Sequence, residues 1–405
     1  MQKKVLIIGY IYPEPTTNAA GVRMMQLIDF FVSQNFEVTF STTAEKTPFS
    51  FDLKKIGVAE VPIQLNSSTF NKFIDKLQPE IVVFDRFFTE EQFGWRVAEN
   101  CPDALKILDT EDLHFLRKSR EEAIFNPKNT NKNLVFREIS SLLKCDLSLI
   151  ISKKEMEILT EDFRIQEDIL WYLPLFSSPE EILKPFDERN QHIVFAGNFK
   201  HTPNTDAVLY IRQIWKELST ALPSAEMHIY GAYAPPEISG LHNPREKFFI
   251  EGHVENLKEI LRNARLMLAP LRFGAGLKGK LLEAMQCGLP CVTTAIGTEG
   301  IVDDNTNGSD FIAETQEEII QKCTILFTEK NAWEKSQKQG IEILNTRFDK
   351  AFFEENFLEK ISLLTKNISQ YREKNFMGRM LEYHQNQSSK YLGKWIEEKN
   401  KNLKN

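Results

Sequence analysis

Short, continuous apolar runs alternate with stretches of helical periodicity along almost the whole chain. Val5–Ile8, Phe36–Phe40, Ile81–Phe84, Lys106–Leu108 and Leu147–Ile151 predict strands, with helix-like runs at Ala20–Val32 and Phe70–Leu77. The strands are apolar throughout rather than on alternate residues, which predicts parallel sheet covered on both faces. Leu173–Pro185, with three prolines and two serines, interrupts the pattern and reads as an interdomain connection. The alternation then restarts, with strands at His192–Ala196, Glu226–Tyr230, Lys247–Ile250, Leu266–Ala269 and Cys291–Thr294. Helices are predicted at Asp206–Leu218 and Leu257–Asn263, and again from Gly276 to Gln286. The expected class is α/β: two doubly wound, Rossmann-like domains facing each other across a cleft, with ligands at the carboxyl ends of the strands. The expected boundaries are 1–175 and 186–355, with helices over 356–405 packing back on the N-terminal domain. No short internal repeat is visible.

Length supports the two-domain reading, because 405 residues exceed what one core usually serves. Net charge is −7, so no global basic field recruits nucleic acid. Five scattered cysteines (Cys101, Cys145, Cys287, Cys291, Cys323) lack a second metal-spaced pair, so no zinc site is expected and reduced thiols in the cytoplasm fit better. The apolar run in MQKKVLIIGYIYPEP is short and broken by Pro13 and Pro15, so it reads as a first strand rather than a signal peptide. No stretch is long enough to span a bilayer. Tyr371–Asn405 is polar and lysine-rich, with Phe376, Met377, Met380, Tyr383, Tyr391, Leu392 and Trp395 interspersed. Packing on the body is the expectation there; contact with the inner face of a membrane is the alternative.

The most informative stretch is FGAGLKGKLLEAMQCGLP, Phe273 to Pro290. Wound as a helix from Gly276, it puts Leu277, Leu281, Ala284 and Met285 on one sector. Gly276, Gly279, Lys280, Glu283 and Cys287 share another, and Lys278 points away from them. Gly274 and Gly276 precede the helix, where backbone N–H groups and the helix dipole favour an anion. Glycine lets a phosphate approach, and Lys280 supplies charge one turn on. Glu283 suits a vicinal diol such as a ribose. The site expected is one for a nucleoside diphosphate; a solvated amphipathic helix with a Lys280–Glu283 surface pair is the plain alternative. No P-loop occurs, and the solitary Gly9 after the first strand argues against dinucleotide binding.

With these residues in place, the sequence resembles the family-four (group 1) glycosyltransferases of the GT-B fold. The resemblance rests on FAGNFKHTPNTDAV (195–208), IYGAYAPPEI (229–238), IEGHVENLKEIL (250–261) and APLRFGAGLKGKLLEAMQCGLPCVTTAIGTEGI (269–301). The loop YPEPTTNAAGVRM (12–24) is similar to the family's glycine-bearing loop. The resemblance implies that Gly276 and Leu277 offer amides to a donor diphosphate beside Lys280, after the approach through Gly274. It implies that Glu283, the second glutamate of the E-x7-E motif, binds ribose. The base would lie near Gly252, His253 and Val254, and Gly21 would let the first-domain loop close over the phosphates. Lys200 stands where the family often has an Arg, and Asn204 opens on the cleft nearby. Ala275 replaces the first glutamate of the motif, and no clear active-site His follows a first-domain strand.

That strand ends in KILDTEDLH, which makes Glu111, Asp112 and His114 the catalytic candidates. Helix capping by Asp109 or Asp112 is the competing role. Asp85 and Arg86 read as an ion pair at the surface or between domains, with lining of the acceptor side as the alternative, His201 and Thr202 as turn or donor contacts, and Glu299 as a weaker donor contact. Trp171 and Trp215 read as core, and Phe87, Phe88 and Phe115 as core or an apolar rim. The expected reaction is transfer of a sugar from a nucleoside diphosphate sugar to a hydroxyl of a glycan or lipid-linked glycan, with retention implied by the resemblance alone. No metal and no cofactor are called for, since Lys280 and helix-terminal amides supply positive charge. A sugar-nucleotide epimerase and a non-catalytic GT-B subunit steadying a partner transferase are the alternatives.

Overall fold

The computed structural model describes residues 2–127, 132–302 and 312–402, apart from the side chains of 385 and 386. In the N-terminal half, seven strands form one parallel sheet: β1 (Lys4–Ile8), β2 (Glu37–Thr42), β3 (Ala59–Pro62), β4 (Ile81–Asp85), β5 (Leu105–Asp109), β6 (Leu147–Ile150) and β7 (Leu170–Tyr172). Their order is β3-β2-β1-β4-β5-β6-β7. A second parallel sheet holds β8 (His192–Ala196), β9 (Glu226–Tyr230), β10 (Phe248–Gly252), β11 (Leu266–Ala269) and β12 (Cys291–Thr293), in the order β10-β9-β8-β11-β12. Both orders reverse beside their first strand, and at such a reversal the loops part to leave a crevice.

Alternate residues of β1 explain why its run is apolar throughout. Val5 and Ile7 enter one hydrophobic cluster and Leu6 and Ile8 another, so helices cover both faces of the sheet. The second sheet has its own cluster, built from Ile193, Phe195, Met227, Ile229 and Leu268 with the buried Trp215. β3 and β7 escape sequence reading because they are short edge strands, half-exposed and without a continuous apolar run. The Phe273–Pro290 helix begins at Gly279, three residues later than its periodicity predicts. Gly276 has φ +63° and the chain stays a loop until Lys278.

Asp85 and Arg86 lie within the first domain, both buried, with Arg86 at φ +67° turning β4 directly into the helix Arg86–Asn100. Neither is a surface or interdomain pair.

The chain crosses between the two halves twice. At the first crossing, Arg23 is the anchor: its Nε pairs with Asp109 at 2.8 Å and its guanidinium donates to the Leu173 carbonyl at 2.7 Å. The return follows the helix Lys330–Arg347, after which the helix Lys350–Lys366 plants Phe357, Ile361 and Leu364 in the first domain's core. The crossings are bonded to each other, Ser177 N donating to the Phe348 carbonyl at 3.0 Å. The last helix, Phe376–Asn402, lies along the helices Arg86–Asn100 and Asn133–Lys144, with Lys106 paired to Glu382 at 2.6 Å. Its outward side leaves Phe376, Met377, Tyr383, Tyr391, Leu392 and Trp395 exposed. Among the described residues, no helix is long and apolar enough to cross a membrane.

Phe357 sits 4.9 Å from the Phe30 ring and is 1% exposed. Truncating so buried a ring costs about 3–5 kcal/mol. Phe357→Ala should therefore lower the melting temperature of the protein by several degrees, measured by calorimetry.

Candidate active site

The loops at the carboxyl ends of both sheets enclose a cavity of about 540 Å³. Three helix N-termini converge on it: Ala19–Ser33 through Ala19 and Ala20, Thr202–Ala221 through Pro203 and Asn204, and Gly279–Gln286 through Gly279 and Lys280. Each turns the positive end of its helix dipole toward the cavity. Asn18 caps the first of them, accepting from Gly21 N at 2.6 Å.

Lys280 reaches into the cavity, bonded to Asn204 and lying 4.3 Å over the Phe195 ring. Burial, aided by the Lys278 charge, brings its pKa down to about 7. Lys278 is also buried and lines the same cavity, its Nζ donating to the Gly276 carbonyl at 2.8 Å. Burial lowers its pKa to about 8, with Glu299 and Glu155 opposing. Sequence periodicity turned Lys278 away because it assumed helix from Gly276; in a loop the helical wheel does not apply. Glu283 lines the far end beside Lys258, and burial raises its pKa.

Asn204, Gly274, Leu277, Lys280 and Glu283 line the cavity, as do Glu111 and Asp112 from the first domain. The other candidates stand elsewhere. The Gly276 amide donates to Glu155 Oε1 at 2.9 Å, and a Cβ at Gly276 would come within 2.8 Å of the Asp112 Cβ. This glycine therefore closes a seam between domains instead of offering its amide to an anion. Gly21 is packed under the backbone of Glu14, where a Cβ would approach to 2.5 Å. It shapes the 12–18 loop from behind. Lys200 lies 3.5 Å over the Tyr233 ring, outside the cavity. Gly252, His253 and Val254 are also outside it: His253 packs on Phe49 at 4.4 Å, and Glu255, Asn256, Leu257 and Lys258 line the cavity instead. His114 turns its ring toward Phe87 and Phe88 and sits behind the wall.

Capping by Asp109 or Asp112 does not occur. Asp109 is spent on Arg23, while the helix His114–Phe125 is capped from outside by Glu138, which accepts from His114 N at 3.0 Å and Phe115 N at 2.9 Å. Glu111, at φ +64°, lies 3.8 Å from Arg86; burial raises its pKa, with Arg86 opposing. Burial also pushes Asp112 upward, but Arg117, His114 and His201 outweigh it and hold the carboxylate below its ordinary value. His201 lines the cavity, and burial together with Arg117 takes its pKa to about 4, so its ring is neutral. Arg117, Lys258 and Asn198 also reach the cavity and carried no sequence signal beyond ordinary polar positions. Glu299 is held bidentate by Arg120 at 2.6 and 2.7 Å, outside the cavity.

Residues 190–329, which include all of the second sheet, match the sequence model of the family Glycosyl transferases group 1. No curated protein matches the chain in sequence. Among solved structures, the whole chain is similar to sucrose-phosphate synthase from Thermosynechococcus elongatus, at TM-score 0.69 and 12% identity over 90% of this chain and 99% of that one. HepE from Anabaena, solved with UDP and glucose, gives TM-score 0.67 and 11% identity over 89% and 100%. A glycosyltransferase from Rickettsia africae gives 0.66 and 11% over 90% and 99%. The protein has the GT-B fold, and residues 190–329 within it match the group 1 glycosyltransferase family.

A lysine whose folded pKa is depressed opposes folding wherever the unfolded chain still holds the proton. Lys280→Met should therefore raise the melting temperature of the ligand-free protein. The gain should be largest below pH 7 and shrink as pH rises from 7 towards 10, because the folded lysine then sheds its charge before the unfolded one. A pH series of thermal melts of both proteins checks the sign.

Proposed function

We propose that the cleft binds a nucleoside diphosphate sugar and transfers its sugar to a hydroxyl of a glycan or lipid-linked glycan, with retention at the anomeric carbon. One observation carries this reading. Lys280 is held at the meeting point of three helix N-termini, and among the described residues no carboxylate pairs with it. Lys280 is half-buried with only the uncharged Asn204 amide as partner, and a diphosphate entering the cavity would supply the missing counter-charge. HepE, of the same fold, was solved with UDP and glucose, which agrees with such a donor.

In this reading the diphosphate lies between Ala19–Ala20 and Gly279–Lys280, with Lys278 behind. The ribose would reach Glu283, and the base would lie against Glu255–Leu257, one to three residues past the segment expected from sequence. As the acceptor oxygen bonds to the anomeric carbon and the bond to the diphosphate breaks, charge grows on the departing oxygen, and the proton of the acceptor hydroxyl would pass to the released diphosphate. Lys280 and the helix ends already face that position, so stabilisation needs no rearrangement. Glu111 and Asp112 flank the cavity from the first domain and would orient the acceptor hydroxyl. The outward side of the helix Phe376–Asn402 is where a membrane carrying a lipid-linked acceptor would make contact. Lys394 and Lys399 are exposed among the side chains there, Lys399 lying 5.3 Å over the Trp395 ring, so this face would favour an anionic surface despite the acidic whole.

Lys280→Ala and Glu283→Ala should each weaken nucleoside diphosphate binding by about tenfold or more, on the scale of one lost charged hydrogen bond. Calorimetric titration of UDP measures this, and undiminished affinity in both variants overturns the site assignment. For the unsubstituted protein, affinity should fall as pH rises through the window from 7 to 8, because Lys280 and then Lys278 lose the protons that attract the anion. Product analysis with donor alone and with added glycan separates transfer from epimerisation, since only transfer needs the acceptor. Replacing Tyr391 and Trp395 together by Ser should reduce sedimentation with vesicles of phosphatidylglycerol; no change rejects the contact.

A further inference from the structure

Away from the cleft, one face of the second sheet carries polar side chains where a doubly covered sheet is expected to be apolar. In the pairing register His192 of β8 stands opposite Glu226 of β9, and His228 follows two residues on, so all three project from the same face. His192 and Glu226 are the first residues of their strands, at the end of the sheet opposite the carboxyl ends that form the cleft.

The geometry is that of a ligand set. His192 Nε2 and His228 Nε2 lie 3.5 and 3.4 Å from the same oxygen, Glu226 Oε2. One ligand atom from each of the three residues falls within 4.8 Å of the others. A tetrahedral ion with bonds of about 2.0–2.2 Å to nitrogen and oxygen spaces its ligands about 3.4 Å apart. Two edges therefore have the required length already; the His192 and His228 rings are stacked 4.0 Å apart at 30°, and turning their Nε2 edges together closes the third.

The outer hydrogen bond points the same way. His228 Nδ1 lies 2.7 Å from Glu251 Oε1 on β10, a contact that needs the ring proton on Nδ1. In a neutral ring this leaves Nε2 as a bare lone pair facing the Glu226 carboxylate. Lone pair against carboxylate is repulsive unless a cation lies between them. A carboxylate holding the far nitrogen of a histidine is also the usual outer partner of a metal-bound imidazole. Phe249 covers the His228 ring at 4.7 Å and 14°, while His192 and Glu226 remain about one-third exposed, open to a water as fourth ligand.

We propose that His192, Glu226 and His228 form a binding site for one divalent transition-metal ion of zinc type, clamping β8 to β9 far from the transfer chemistry. The site bears on stability and leaves the sugar-transfer step to the cleft. Sequence spacing alone does not reveal it, because E-x-H at 226–228 lacks its third member until the sheet brings His192 alongside.

The test uses the full-length protein, stripped with a chelator and dialysed. Titration with Zn2+ alone should show one saturable equivalent and a rise in melting temperature of several degrees. Titration with Co2+ should give the intense visible bands of a tetrahedral site. Both responses should be lost in Glu226→Gln and in His192→Gln, substitutions at part-exposed positions whose folding circular dichroism verifies. UDP affinity should be the same with and without the metal. If the unsubstituted protein binds no stoichiometric Zn2+, the face is held by a charged His228 imidazolium and the proposal is wrong. If binding survives both substitutions, the ion sits elsewhere and the proposal is equally wrong.

Discussion

The two domains meet at a seam where the second domain has no room for a side chain at three positions. Gly276 lies against Asp112, Gly279 against the Ala19 methyl and Gly300 against the Ser152 hydroxyl, each so close that a Cβ would fall within 2.6–2.8 Å of its neighbour. Glu155 locks this seam from below, its Oε1 accepting from Leu113 N of its own domain and from Gly276 N of the other, both at 2.9 Å. Burial, reinforced by the Asp112 charge, lifts the Glu155 pKa to about 8, so at neutral pH it carries a proton. Its second oxygen has no other partner and is the place for that proton. The glycines that look like a phosphate cradle in sequence thus serve two purposes. Gly274 opens on the cavity, while Gly276 and Gly279 let the walls of that cavity come together.

From this closeness follows the electrostatic character of the site. Groups lining walls brought so near are partly desolvated, and there the charges act strongly on one another. Lys278 and Lys280 both lose much of their affinity for protons, His201 is driven neutral, and Asp112 is kept ionised by Arg117. The second domain thus presents basic groups to the cavity and the first domain a carboxylate paired with Arg117. That polarity suits a reaction in which an anion departs on one side and a hydroxyl arrives on the other.

Most of the architecture was legible in the sequence because burial on both faces leaves a plain mark, an unbroken apolar run, as in Ile193–Ala196 or Leu266–Ala269. β3 and β7 left no such mark, since an edge strand needs to bury only part of itself. The cavity's lysines and Glu283 were legible as types but not all in direction. Lys278 was misdirected by a helix drawn three residues too long, and the positive φ that stops that helix is permitted by glycine without being announced by it. Glu155, Arg117 and Lys258 could not be read at all, because their roles arise from contacts between segments more than a hundred residues apart or from the shape of the cavity. His114 illustrates the converse: a histidine beside two acids after a strand is suggestive, yet the helix it begins turns the ring into Phe87 and Phe88.

The paired crossings of the chain constrain how this machine can open. A single connecting strand would allow one lobe to swing, twist or slide against the other. Here two antiparallel passages run side by side, fastened to each other between Ser177 and Phe348 and anchored at Arg23 and Phe357. Such a double spindle suppresses torsion and leaves bending about one axis as the soft motion. A hinge of that kind would widen the crevice most at the edge farthest from the spindle.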